Sequence, residues 1–174
     1  MNPLESRRTA LVLIDLMPRI IALETAPLSG SVVLERSVAM AAATRSAGGL
    51  VVNVRVDRPG VEVQPEGSGF AAEAAPQAGD LVIVKQTIGA FGRTPLDAEL
   101  QSRGIATVVL AGIATNFGVE STGRAATDLG YETFFLTDAM TGLDAHAHTF
   151  ALTYTFPRLG TLSTTTEYLN ALTK

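Results

Sequence analysis

Apolar and polar positions divide the chain into short β-branched runs separated by longer stretches of helical composition. Runs at 10–15, 50–56, 81–85, 107–111, 133–137 and 160–164 read as strands, and several, such as VVLAG and LVIVK, are apolar at successive positions. Strands without polar alternation suit a sheet buried on both faces. Stretches at 30–47, 94–103, 115–129, 145–154 and 166–172 read as helices, and Gly48-Gly49, Gly104 and Gly130 stand where left-handed helix ends favour glycine. The alternation predicts an α/β fold with a mostly parallel sheet. The segment 57–79, rich in proline and glycine, reads as a surface excursion able to cover a site.

Composition narrows the chemistry. The 174 residues suit one domain, 47% hydrophobic and 17% charged, which argues against disorder. A net charge of −4 without a basic stripe disfavours nucleic acid as a partner and favours a small molecule. No stretch is long and apolar enough to span a membrane, and the apolar N-terminal run is broken by Asp15, Pro18 and Arg19; a cytoplasmic location, with no membrane partner, is the expectation. The chain has no cysteine, which removes disulfides, thiolate metal sites and thiol nucleophiles.

In a parallel sheet the chemistry is expected beyond the carboxyl ends of the strands. Asp15 closes the run ALVLID and Lys85 closes LVIVK, so a carboxylate and an ammonium are expected to converge there. Each has a bland alternative, a turn-capping Asp and a solvated Lys. The segment GIATNFGVESTGRAATDLG joins a strand to a helix whose first N–H groups lack intrahelical acceptors, although many ordinary strand-to-helix turns look the same. It carries neither a P-loop nor a GxGxxG spacing, so a nucleotide-dependent enzyme is unsupported. His146 and His148 have no third ligand at a telling spacing and are expected to be solvated or capping; Ser121 and Thr122 are expected to be plain helix residues. Arg55 and Arg58, after the second strand, are candidates to meet an anionic substrate or simply to face solvent.

These motifs resemble the isochorismatase-like hydrolases, a group that includes nicotinamidases and N-carbamoylsarcosine amidases. TALVLIDLMP is similar to the family's first strand, the block from VKQTIGAFGRTPLDAEL through VVLAGIATNFGVES to FFLTDAM is similar to its centre, and FPRLGTLSTTTEYL is similar to its last strand and helix. The resemblance implies one domain over 1–174, with three α/β/α layers and a six-stranded sheet in Rossmann-like order 3-2-1-4-5-6. It implies Asp15 as catalytic acid/base, Lys85 as its partner, and a cis peptide between Ile113 and Ala114 that aims the Ala114 and Gly118 N–H groups into the site. Phe91, Thr115, Asn116 and Arg55 are the substrate contacts it suggests. It also implies self-association as a homodimer or larger assembly.

Amidase members carry a cysteine where this sequence has Gly118, and the nicotinamidase metal cluster has no counterpart in RVDRPG, so no metal or other cofactor is expected. Isochorismatases proper are similar in needing no thiol, because a vinyl ether is cleaved by protonation at carbon. The expectation is therefore hydrolysis of a small anionic substrate of isochorismate type by Asp15 and Lys85. The alternative is a binding or interaction module that kept the fold without catalysis.

Overall fold

The computed structural model describes residues 3–173. Its main sheet has six strands: β1 (Thr9–Ile14), β2 (Leu50–Val56), β3 (Leu81–Lys85), β4 (Thr107–Ile113), β5 (Glu132–Thr141) and β6 (Thr161–Ser163). They lie in the order 3-2-1-4-5-6, and every neighbouring pair is parallel. A second, two-stranded parallel sheet joins Leu4–Glu5 to Leu172–Thr173, a pairing too short to leave a periodic signal.

Alternation along β1 builds the three layers. Ala10, Val12 and Ile14 point into one apolar cluster with Val52, Val54, Leu100, Ala126 and Phe156. Leu11 and Leu13 point into the other with Val33, Met40, Val51, Val109 and Tyr168. All six β1 residues are buried, which accounts for the absence of polar alternation in that run.

The helices are α1 (Pro18–Ile21), α2 (Gly30–Ser46), α3 (Leu96–Ser102), α4 (Glu120–Asp128), α5 (Ala145–Phe150), α6 (Phe156–Leu159) and α7 (Thr165–Ala171). Ser29 caps α2 through the Val32 N–H, and Thr164 with Glu167 forms a capping box on α7. Two expected helices differ from simple extrapolation. The stretch expected at 115–129 begins with a π-helical turn, Thr115–Val119, before α4, and α5 passes through a second such turn, Ala151–Thr155, into α6. Pro157, which has no N–H to donate, follows two residues after the second of these turns, in the first turn of α6.

The carboxyl ends of β1 and β4 approach closely. Gly112 has φ +121, and a β-carbon there would stand 2.2 Å from the Ile14 carbonyl oxygen. Only glycine fits that crossing. The Ile113–Ala114 peptide that follows is cis, as the resemblance implied.

Candidate functional site

The register of the sheet decides which side chains meet. Val56 of β2 pairs with Lys85 of β3, and Ile14 of β1 pairs with both Val54 and Gly112. Lys85 shares its strand face with buried Ile83, so its aliphatic stem follows the core and its ammonium emerges where the strand stops. Asp15 lies one residue beyond β1, and strict alternation would turn it with Leu13 toward the opposite face. Its φ of +53 breaks the alternation and brings the carboxylate to Lys85.

Lys85 Nζ donates to Asp15 Oδ2 at 2.8 Å and to the Ile88 carbonyl at 2.9 Å. Asp15 is 6% exposed and Lys85 2%. Asp15 Oδ1 is buried without a hydrogen-bond partner among the described residues. Burial raises the Asp15 carboxyl above its ordinary range, and this outweighs the attraction of Lys85 and of the more distant Arg19. The result is a carboxyl group with an enhanced tendency to hold a proton and one oxygen still uncommitted.

This pair lies on the wall of a cavity of about 410 Å³, a size common among small-molecule sites. Ile20, Leu23, Val56, Ile88, Ile113, Phe117 and Leu143 supply its apolar lining, with Ala114, Gly118, Gln86 and Thr87 completing it. Among the described residues the Ala114 N–H has no acceptor within the protein, and the Gly118 N–H lies in the first turn of its helical segment, where donors lack intrahelical partners. The turn is held from behind: Thr122 Oγ1 donates to the Gly118 carbonyl at 2.6 Å and accepts from the Ala90 N–H at 3.0 Å.

The other expected contacts fall elsewhere. Arg55 alternates with Val56 and so turns to the opposite side of β2, where it pairs with Asp57 and lines a separate polar cavity with Gln64 and Ser68. Phe91 stacks on Tyr131 at 5.9 Å between ring centroids, packed against the core rather than the Asp15 cavity. Thr115 is fully buried, and its Oγ1 shares a 2.8 Å hydrogen bond with His148 Nδ1. His148 is thus a buried residue held behind the turn, not a solvated or capping one, and burial lowers its pKa. Asn116 has a buried Oδ1 without a hydrogen-bond partner among the described residues and does not line the cavity.

The sequence reading overlooked Ile20, Leu23, Val56, Ile88, Phe117 and Leu143. A signal existed for part of this set: Val56 continues the Val52–Val54 face to the last residue of its strand, and Ile88 and Phe117 interrupt otherwise small and polar stretches. Among the described residues no three His, Asp or Glu side chains gather to hold a metal ion, and no helix is long and apolar enough to cross a membrane.

Comparison with known proteins places this geometry. Residues 9–167 match the isochorismatase domain. The chain is 38% identical over 183 residues to an uncharacterized isochorismatase family protein, YwoC, of Bacillus subtilis (strain 168), covering 95% of each. An isochorismatase family protein from Burkholderia thailandensis superimposes with a TM-score of 0.89 at 36% identity, covering 99% of both chains. A shorter match, 49% over 67 residues, links 38% of this chain to 28% of the ureidoacrylate amidohydrolase RutB of Klebsiella pneumoniae (strain 342). The extent of these matches and the shared six-stranded architecture establish that the chain belongs to the isochorismatase family of hydrolases.

Proposed function

We propose that the protein hydrolyses an enol ether without a nucleophilic side chain, Asp15 serving as acid/base and Lys85 as the cation that holds it. The observation that carries this reading is the buried Asp15 carboxyl, with one oxygen on Lys85 and the other unpartnered, on the wall of a largely apolar cavity.

The chemistry follows from that group. A protonated Asp15 gives its proton to the terminal enol-ether carbon, forming a C–H bond while the ether oxygen stabilises the resulting oxocarbenium ion. The carboxylate left behind, still bonded to Lys85, lies beside the new positive charge and stabilises it. Water adds to the cationic carbon and returns a proton to Asp15. The hemiketal then collapses to an alcohol and a ketone. General acid catalysis of this kind contributes on the order of 10² to 10⁴ in rate. The N–H groups of Ala114 and of Gly118, the latter in the first turn of its helical segment, are suited to orienting a substrate oxygen.

Amide cleavage, the activity named for the partly matching RutB, is less well supported. Acyl transfer through a thioester requires a thiolate, and the sequence contains no cysteine. By the family resemblance Gly118 stands at that position, and the side of the cavity nearest Asp15 carries no nucleophile there.

A second reading, a binding module, is favoured by the closed Asp15–Lys85 ion pair at 2.8 Å, which holds a would-be acid in a bonded state. A panel of enol ethers and amides incubated with wild type and with Asp15→Asn separates the two. Release of ketone from an ether by wild type, lost in Asp15→Asn with the far-UV circular dichroism unchanged, is expected of the enzyme. No turnover across the panel would favour the module.

A further inference from the structure

We infer that the Asp15 cavity selects an uncharged substrate with an apolar body, an ester or amide of an enol-ether acid rather than the free carboxylate. The identity of the scissile bond rests on the reading of Asp15 as an acid; the charge preference rests on the cavity itself.

Seven of the lining residues are large aliphatic or aromatic side chains. Four of them, Leu23, Ile88, Phe117 and Leu143, also stand partly exposed, so an apolar ligand reaching the mouth would cover surface now in contact with water. The lining contains one cation, Lys85, already bonded to Asp15 Oδ2 and the Ile88 carbonyl. An incoming carboxylate would have to shed its water beside Asp15 and compete for that ammonium. Neither basic side chain nearby lines the cavity. Arg55 pairs with Asp57 on the other side of β2, and Arg19, whose charge is felt by Asp15, reaches the Val56 carbonyl at 3.4 Å from outside the lining, its Nε buried without an acceptor among the described residues.

The remaining polar groups suit a neutral carbonyl. Gln86 lines the cavity and is solvent-exposed, while the Ala114 N–H is an uncommitted donor. Neutral donors can satisfy an ester or amide oxygen without a compensating charge. A dicarboxylate such as isochorismate fits this lining poorly, so the resemblance to isochorismatases concerns reaction type rather than the molecule cleaved.

The test uses two saturated ligands that lack the enol ether and so cannot be protonated at carbon, 2-(cyclohexyloxy)propanoate and its methyl ester, titrated calorimetrically into the full chain at pH 7.5, with the ester recovered intact afterwards. The ester is expected to bind at least tenfold more tightly. Equal affinity, preference for the acid, or no measurable binding of the ester overturns the inference. Leu143→Arg, at a half-exposed position on the rim, supplies the missing cation and is expected to strengthen acid binding at least fivefold; a folded variant without that gain also counts against it. Should the unsaturated ethers not be turned over while the saturated ester remains the tighter ligand, the acid-catalysis reading fails and the charge preference stands.

Discussion

Gly118 faces Asp15: a β-carbon on Gly118 would stand 3.3 Å from Asp15 Oδ2 and 2.8 Å from Ile14 Cγ2. Any side chain at this position is therefore directed at the carboxyl group, and the room it would need is partly taken by an isoleucine methyl. The absence of a nucleophile is built into the packing around the acid as well as into the identity of one residue.

Gly118→Ala is accordingly expected to lower stability by about 1–3 kcal/mol through overpacking against Ile14 and to reduce activity. Denaturant midpoints and initial rates check both. Gly118→Cys is expected to give a thiol with depressed pKa, because the Lys85 ammonium and first-turn N–H groups favour the thiolate. Alkylation by iodoacetamide against pH reads this directly, and the profile of an ordinary solvent-exposed thiol would contradict the placement.

The pH dependence has a definite sign. Burial holds the Asp15 carboxyl above its ordinary 3.8, and the protonated form is the proposed acid. Expected kcat/KM is level at low pH and falls tenfold per unit once pH passes the raised pKa. In the window between 3.8 and that raised value the folded chain binds a proton the unfolded chain has lost, so Asp15 makes stability decline as pH rises. A rate that climbs with pH across this window would mean that Asp15 acts only as a base.

Lys85→Met removes the side chain that hydrogen-bonds a buried carboxylate. The expected cost is about 3–5 kcal/mol at neutral pH, shrinking as Asp15 becomes protonated, together with a shift of the falling limb of the rate profile to higher pH. Combining it with Asp15→Asn should recover part of the stability. Urea denaturation of the four proteins in the double-mutant cycle measures the coupling.

Asp80 tests the opposite sign away from the site. Its burial favours the proton, but a two-point pair with Arg45 at 2.9 and 2.7 Å, the Gln77 N–H at 2.8 Å and Asn53 at 3.0 Å prevail, and its pKa is lowered. Its contribution is therefore present above 3.8 and lost as pH falls through the lowered value. Asp80→Asn is expected to cost about 1.5–3 kcal/mol at pH 7 and to flatten that part of the acid unfolding profile.

Much of this arrangement is legible in the residues, and the failures share a cause. β1, β2 and β3 are bounded by apolar runs, so their ends, and with them Asp15 and Lys85, can be placed from sequence. β5 continues to Thr141 through Thr137 and Asp138, where polar residues hide a strand whose pairing with β4 slips between Leu110 and Gly112. Arg55 lines a different cavity from Asp15 because nearness to a strand end does not reveal which side a residue takes; strand alternation does, and it puts Val56 beside Asp15. Phe91 and His148 answer to tertiary packing, on Tyr131 and Thr115 respectively, which no local pattern announces. The left-handed turn at Asp15 is likewise imposed by the fold.

The central claim is that Asp15 supplies a proton to carbon. Its most direct test is the hydrolysis of methyl 2-(cyclohexyloxy)acrylate in D₂O by wild type and Asp15→Asn, followed by proton NMR. The expected result is methyl pyruvate carrying one deuterium in its methyl group, formed by wild type at a rate at least 10²-fold above that of the variant. Equal rates for the two proteins, or product from wild type without deuterium at that carbon, would contradict it.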